Sequence, residues 1–125
     1  MPSYKLDHRH LSVEDVEGTA QFYETVFGAR RIYAELVRGV PVIRLNLQGL
    51  WLTVSGELDP LIGHHIGFEV DDFDAAVADM REKGVEFITE PKDHGAAKVA
   101  FVRDNAGTII EVIQRLEQPS YKTMV

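Results

Sequence analysis

Two histidines and a glutamate in this chain have the residue types and the spacing of a metal-ligand set. His8 precedes Asp15 by 7 residues, and His65 precedes Asp72 by the same 7 residues. Two neutral imidazoles and one carboxylate, here Glu111, form a facial triad that suits a divalent first-row metal and leaves about three coordination positions open. Open positions distinguish a catalytic metal site from a closed structural one. These residue types therefore predict metal-assisted chemistry.

The alternation of side chains along the predicted strands places these groups on particular faces. Residues two apart in a strand share a face, so His65 lies with Glu69, opposite the apolar side chains of the same strand. Glu111 shares its face with two isoleucines. A carboxylate in such surroundings is costly unless a cation or a hydrogen-bond donor meets it. His8 and His10 lie together on one face of the first strand.

The elements that must position these residues are predicted to occur twice in the same order. Hydrophobic periodicity and the placement of glycines predict a strand, a helix and three strands in each half. The first set is strand 5–11, helix 14–27 and strands 31–37, 40–47 and 50–55; the second is strand 64–70, helix 73–83 and strands 85–89, 98–103 and 108–114. His8 and His65 lie 57 residues apart, at equivalent places in this repeat. Such a repeat indicates two copies of one unit, each needing a partner to close it.

We therefore predict a single α+β domain over residues 1–125. Module 1 covers about 5–55, a linker bounded by glycine and proline covers 56–63, module 2 covers about 64–114, and 115–125 form a tail. Asp15 and Asp72 stand before the two helices and are interpreted as caps or first-turn carboxylates.

Composition narrows the choice of partners. The net charge is −7 and the basic residues are dispersed, which argues against a general nucleic-acid binder. A hydrophobic content of 45% is ordinary for a globular domain, and no apolar run approaches the roughly 20 residues of a membrane span. The absence of cysteine excludes disulfides and thiolate ligands. We expect a small-molecule substrate and, since no secretory signal is recognisable, a cytoplasmic location.

Three segments resemble motifs of the vicinal oxygen chelate superfamily, which contains glyoxalases, bleomycin-resistance proteins and extradiol dioxygenases. The first motif resembles LDHRHLSVEDVEGTAQFYETVFG, and the second resembles HHIGFEVDDFDAAVADMREKGVEF. The closing motif, in which the glutamate after DNAG is a metal ligand, resembles EPKDHGAAKVAFVRDNAGTIIEVIQ. The resemblance covers roughly residues 5–114. It implies two βαβββ modules whose mixed sheet forms a cup around the metal, with the helices on the outer face.

The metal ligands implied by this resemblance are His8, His65 and Glu111. His8 is preferred to His10, and His65 to His64, because only these two keep the 7-residue spacing. The implied ion is Fe(II), Mn(II), Ni(II) or Zn(II), since nitrogen and oxygen ligands do not select among them. In the family the metal polarises a substrate that chelates it through neighbouring oxygens. The resemblance also implies a homodimer, with modules of two chains pairing to complete a cup.

The chain departs from the pattern of each subfamily. Glyoxalase I and methylmalonyl-CoA epimerase resemble each other in having a fourth metal ligand at the end of the first module. This chain has Thr53 at that position, which argues against both activities. The extradiol dioxygenases usually place a tyrosine where this chain has Phe101. The fosfomycin-resistance thiol transferases match in size and triad spacing, but His10 replaces their catalytic threonine and residues 116–125 contain no arginine.

Further candidates lie on the same strand faces as the predicted ligands. His10 could be a general base, a fourth ligand or a hydrogen-bond partner of a ligand. Glu69 could orient the ring of His65 or be a solvated carboxylate. The predicted substrate pocket consists of Arg44, Asn46, Trp51, Thr53 and Phe101. Arg44 could anchor an anion or carry surface charge, and the two aromatic side chains could wall the pocket or pack in the core.

We therefore predict a metal-dependent enzyme that performs a dioxygenase, lyase or isomerase step on a small oxygen-chelating substrate. Two alternatives stay open at this point: a thiol transferase like the fosfomycin-resistance enzymes, and a metal-free binding protein of the bleomycin-resistance type.

Overall fold

The computed structural model describes residues 2–117, which form the repeated order of elements that the sequence predicts. The elements are β1 (Tyr4–Ser12), α1 (Val16–Phe27), β2 (Arg30–Val37), β3 (Val40–Leu47), β4 (Leu50–Ser55), β5 (His65–Val70), α2 (Phe73–Glu82), β6 (Glu86–Phe87), β7 (Lys92–Asp93), β8 (Ala97–Arg103) and β9 (Ile109–Arg115). The α+β class with two βαβββ modules is confirmed. Neither helix of this part of the chain is long and apolar enough to cross a membrane.

The structure contains one strand that the sequence does not predict, and several elements begin or end one or two residues from their predicted positions. The sequence does not predict β7, because a two-residue strand has no periodicity to detect. β9 runs one residue further than expected, so Arg115 belongs to the last strand rather than to the tail. The rest of the predicted tail, from 118 to 125, lies outside the described residues.

The chain divides into two compact units, and the boundary falls within β1. Residues 8–64 form the first-module unit, and residues 2–7 with 65–117 form the described part of the second-module unit. The four residues at the start of β1 therefore belong to the second-module unit, and the five that follow belong to the first.

The first-module unit is a mixed sheet in the order β2-β3-β4-β1 with α1 against one face. β3 runs antiparallel to β2 and β4, and β4 runs parallel to β1. The core beneath α1 consists of Val16, Ala20, Ala29, Ile43, Leu45, Leu52 and Val54. Because side chains alternate along β3 and β4, the even-numbered residues of β3 and the odd-numbered residues of β4 face away from α1.

The second-module unit repeats this arrangement, with β5-β9-β8-β6 in order and β7 also paired to β8. β5 is parallel to β9, and the other pairs are antiparallel. The core beneath α2 consists of Val70, Phe73, Ala76, Met80, Ala100, Val102 and Val112. The odd-numbered residues of β5 and β9 consequently face away from α2, as the sequence pattern predicts.

Each helix begins at the aspartate that the sequence marks as a cap. The Asp15 carboxylate accepts a hydrogen bond from the backbone N–H of Gly18 at 2.9 Å, and the Asp72 carboxylate accepts one from Ala75 at 3.1 Å. These bonds satisfy backbone donors that a helix leaves unpaired in its first turn. α1 ends at Gly28, whose φ of 73° lies in the left-handed region where a side chain is disfavoured.

Candidate functional site

The face of the first-module sheet that points away from α1 is polar and largely buried. The strand register aligns β1, β4 and β3 in two rows across this face. The rows are His8, Trp51 and Asn46, and then His10, Thr53 and Arg44. All of these except His10 are buried, and His10 is half-buried. Six of the predicted site residues thus lie together within this unit.

Arg44 is held in the interior of this face. Its Nε donates a hydrogen bond to Thr53 Oγ1 at 3.1 Å, and its guanidinium carbon lies 4.7 Å from the centre of the Trp51 ring. Only 8% of Arg44 is exposed. The alternative that Arg44 merely carries surface charge is therefore wrong, and Thr53 has a hydrogen-bonding role with Arg44.

His10 contacts Ser55, a residue that the sequence did not single out. The distance between His10 Nε2 and Ser55 Oγ is 2.7 Å, and Ser55 Oγ donates its hydrogen to the carbonyl of Gly56 at 2.7 Å. The role of each ring nitrogen of His10 depends on its tautomer: Nε2 donates to Ser55 in one tautomer and accepts from it in the other.

Asn46 stabilises a turn. Its side-chain oxygen accepts a hydrogen bond at 2.8 Å from the backbone N–H of Gly49, in the tight connection between β3 and β4. This contact fixes the start of β4, the strand that carries Trp51 and Thr53.

The second-module unit brings together His65, Glu111 and Phe101. His65 Nε2 lies 3.7 Å from Glu111 Oε1, and the two side chains are 5% and 16% exposed. Phe101 pairs in register with Glu111, and its ring meets the His65 ring edge-on with 5.4 Å between centres. Phe101 therefore walls the histidine–glutamate pair.

The His65–Glu111 geometry fits the requirements of a shared metal ion. A nitrogen and a carboxylate oxygen each about 2.1 Å from one zinc-sized ion lie at most about 4.2 Å apart. The observed 3.7 Å is within this limit and is too long for a direct hydrogen bond. His8, His10 and His65 each offer a ring nitrogen that could ligate a metal.

The turn before Glu111 is formed by the DNAG motif. The Asp104 carboxylate accepts hydrogen bonds from the backbone N–H groups of Thr108 and Ala106, each at 2.8 Å. These bonds, the one from Thr108 above all, lower the pKa of Asp104 below its usual range. Gly107 adopts a φ of 87°, which favours glycine at this point of the turn. The motif thus sets where β9 begins and where Glu111 stands.

Glu69 lies on the same face as His65, but its carboxylate contacts Arg115 at 3.1 Å. Arg115 also forms two hydrogen bonds of 2.9 Å to the two carboxylate oxygens of Asp7. Burial by itself lowers the pKa of Arg115, but the hydrogen bonds to Asp7 and Glu69 outweigh it and hold that pKa above its usual value. The sequence analysis missed Asp7 and Arg115, which are 108 positions apart in the chain.

The fold and these faces agree with the comparison of the sequence with known families. Residues 5–112 match the model of the Glyoxalase/Bleomycin resistance protein/Dioxygenase superfamily. The chain belongs to this superfamily. Its members use divalent metal ions, and those related to this chain include isomerases, lyases and transferases.

Three relatives of this superfamily member illustrate that range. Human mitochondrial methylmalonyl-CoA epimerase is 30% identical over 88% of this chain and 73% of its own length. Lactoylglutathione lyase of Neisseria meningitidis serogroup A is 31% identical over 89% of this chain and 91% of its own. The metallothiol transferase FosB of Lysinibacillus sphaericus is 29% identical over 75% of this chain and 80% of its own. The protein is an enzyme of the vicinal oxygen chelate type, as predicted.

Proposed function

We propose that this enzyme uses one divalent ion, held by His8, His65 and Glu111, for an isomerase or lyase step on a small substrate that chelates the ion through neighbouring oxygens. The observation that carries the proposal is the pair of the buried His65 and the half-buried Glu111, whose 3.7 Å separation suits two ligands of one ion. His8 is also buried and occupies the repeat-equivalent place on β1. Fe(II), Mn(II), Ni(II) and Zn(II) all suit this donor set.

When bound, the ion would supply the Lewis acidity that stabilises negative charge developing on a substrate oxygen. In this proposal, His10 accepts the proton that the substrate loses. It lies two residues beyond His8, on the same face of β1, and its Nε2 lies 2.7 Å from Ser55 Oγ. An imidazole suits proton transfer near neutral pH.

The names of two relatives favour an acyl thioester as the substrate class. Methylmalonyl-CoA and lactoylglutathione are both thioesters, and the carbon next to such a carbonyl loses a proton most readily when charge on the carbonyl oxygen is stabilised. Arg44 would bind an anionic group on the substrate, since its guanidinium is buried beside Trp51 on the face that carries His10. Phe101 would form the apolar wall beside His65.

Thr53 separates this chain from enzymes with a fourth protein ligand at that position. Its hydroxyl accepts the hydrogen bond from Arg44. The metal would therefore keep one more position for substrate oxygens than a four-ligand site allows. The proposal thus favours a bidentate substrate and leaves the exact acyl group to experiment.

A thiol transferase is the second candidate function, because FosB, a metallothiol transferase, is among the relatives. It would use the same metal ligands. Against it stands His10, which takes the place of the catalytic threonine that the resemblance implies.

Metal content is the first test of the proposed function. We expect about one divalent ion per chain in the purified protein after exposure to Mn(II) or Zn(II), and none in His65→Ala, because the variant lacks a buried ligand. His94→Ala is the matched control, since His94 is exposed and its substitution should change nothing. Elemental analysis measures all three. An empty wild-type protein would favour a metal-free binding protein.

Exchange of a substrate proton with solvent tests the reaction class. With metal bound, we expect the substrate hydrogen on the carbon next to the thioester carbonyl to exchange with deuterium in D2O. NMR would measure this exchange in two acyl-CoA substrates, one with a carboxylate and one without. Faster exchange for the carboxylate-bearing member would support the role of Arg44. Thiol addition to an epoxide without any exchange would favour the transferase, and oxygen consumption with a diol would favour a dioxygenase.

We further propose a homodimer in which modules of two chains pair, as the family resemblance implies. Sedimentation at micromolar concentration should give twice the 14.1 kDa chain mass. Co-expressed His8→Ala and His65→Ala chains would then regain metal in mixed dimers, because one site would keep every ligand. A monomer, or mixed dimers without metal, would contradict pairing between chains.

A further inference from the structure

We propose that Tyr33 is a specificity-determining residue that binds, together with Arg44, a carboxylate carried by the acyl group of the substrate. This inference deepens the proposed function and rests on it in taking an acyl thioester as the substrate class. Its basis is a β-bulge in β2, which places the Tyr33 side chain beside Arg44 on the polar face of the first-module sheet.

The bulge is visible in the register of β2 against β3. Arg31 stands opposite Leu45, and Tyr33 stands opposite Arg44. β2 thus advances by two residues where β3 advances by one, which makes Ile32 the extra residue of a β-bulge. An extra residue reverses the alternation of the side chains that follow it.

The side chains before and after the bulge face in the directions that this register requires. The Arg31 guanidinium donates hydrogen bonds to Glu17 at 3.0 Å and to Glu24 at 2.8 Å, and both carboxylates belong to α1. Arg31 therefore faces α1. Tyr33 shares the face of Arg44, which points away from α1, since residues directly opposite each other in paired strands lie on one face of the sheet.

An unbroken alternation would give the polar face a different side chain. Continued from Arg31 without an extra residue, β2 would place Ile32 opposite Arg44 and would turn Tyr33 toward α1. The bulge exchanges an isoleucine, which forms no side-chain hydrogen bond, for a phenol, which donates and accepts. Bulges are over-represented next to active sites, where they re-aim a side chain. The residue that this bulge brings to the polar face is therefore one that can bind a polar group.

Tyr33 extends the row of side chains that includes the proposed base. The register runs from His10 on β1 through Thr53 on β4 and Arg44 on β3 to Tyr33 on β2. Neighbouring strands lie about 4.8 Å apart, so Arg44 stands about 10 Å from His10 along the row, which their side chains and a small acyl group can span. Glu35, two residues further along β2, shares the face but is exposed, so water screens its charge.

The chemistry of Arg44 and Tyr33 suits a carboxylate. Arg44 is buried and uses its Nε for Thr53, and a guanidinium carries four further N–H donors in a planar fork that matches a carboxylate. The half-buried Tyr33 can donate its O–H to a carboxylate oxygen, and such charge-assisted hydrogen bonds are stronger than neutral ones. A site built from such donors strongly rejects an analogue that lacks the group they bind.

The affinities of two acyl-CoA thioesters of nearly the same shape test the proposal. Methylmalonyl-CoA carries a carboxylate where isobutyryl-CoA carries a methyl group. Trp51 is the one tryptophan of the chain and lies against Arg44, so its fluorescence measures binding at this place. We expect the wild-type protein to prefer methylmalonyl-CoA by at least about 10-fold. Tyr33→Phe should lose about 10-fold or more of that preference, the usual effect of losing a hydrogen bond to a charged group, with an unchanged affinity for isobutyryl-CoA.

Two further variants and one further ligand complete the experiment. Tyr4→Phe is the matched control, because it removes a phenolic hydroxyl that is bonded to Asp79 on α2, and it should leave both affinities unchanged. Arg44→Lys should lose part of the preference, since the charge remains without the planar fork. A response to free CoA equal to that for methylmalonyl-CoA would assign the anion to a phosphate and would overturn the carboxylate site.

The titrations use metal-free protein and require no turnover, so this inference and the proposed function fail separately. Equal behaviour of the two thioesters in the wild-type protein, including no binding of either, would overturn the role of Tyr33. An unchanged preference in Tyr33→Phe would overturn it as well, even in a protein that binds Mn(II) and exchanges the substrate proton. A preference that depends on Tyr33 in a protein without metal binding or proton exchange would support the carboxylate site and contradict the proposed function.

Discussion

Glu111→Gln is expected to lose both its metal and its turnover. Glutamine keeps the size of the side chain, but its neutral amide removes the negative charge that a divalent ion needs beside two neutral imidazoles. Metal-based charge stabilisation contributes several kcal/mol to such reactions, and each 1.36 kcal/mol is tenfold in rate. Turnover should therefore fall by about 10³-fold or more. Elemental analysis and the proton-exchange assay measure the two effects on the same sample.

The control for Glu111→Gln is Glu90→Gln, in the same module. Glu90 is 87% exposed and makes a long contact of 3.5 Å with Arg81, so its neutralisation should alter neither metal content nor turnover. Full metal occupancy in Glu111→Gln would remove Glu111 from the ligand set. The loss of turnover with metal retained would instead assign Glu111 a role in substrate binding.

Much of the architecture could be predicted from the sequence because it depends on interactions between residues that are close together in the chain. Amphipathic periodicity located both helices, and the short side chains of Asp15 and Asp72 marked where they begin. The strand that carries His65 is recognisable because its apolar residues alternate, and the strand that carries Glu111 because a glycine-containing turn precedes it. Each of these signals depends on residues close together in the chain.

The features that were missed depend on contacts between distant residues. Whether Arg44 is on the surface or buried cannot be read from its own strand, because burial follows from the aromatic ring of Trp51 on the next strand. The pairing of Asp7 with Arg115 joins the two ends of the described chain. One local signal was available: Arg115 follows Glu111 by 4 residues, and Glu69 follows His65 by 4 residues. The Glu69–Arg115 pair therefore crosses β5 and β9 with the same diagonal offset as the His65–Glu111 pair.

That repeated diagonal gives the second-module sheet two different pairs on one face. The His65–Glu111 pair has the donor chemistry of a metal site, whereas the Glu69–Arg115 pair is already charge-compensated and draws in Asp7. Glu69 contacts Arg115, and its role in orienting the ring of His65 stays a prediction.

His10→Ala is expected to retain the metal but to lose most of its turnover. Removal of a positioned general base typically lowers rates by about 10²- to 10⁴-fold. Ser55 contacts the ring through Nε2, so Ser55→Ala should cause a smaller loss of the same kind by removing a hydrogen bond that positions the imidazole. The rate of substrate proton exchange as a function of pH should lose its rising limb in His10→Ala and keep it in Ser55→Ala.

Metal content decides between the roles that the sequence left open for His10. A metal-loaded but inactive His10→Ala would establish proton transfer, because the ligands would be intact and only the base would be missing. Loss of metal in this variant would make His10 a fourth ligand, and the proposed base would then be wrong. Retention of both metal and turnover would leave His10 as a structural partner of Ser55, and proton transfer would have to be assigned to another group on the same face, where Arg44 is too basic to accept a proton.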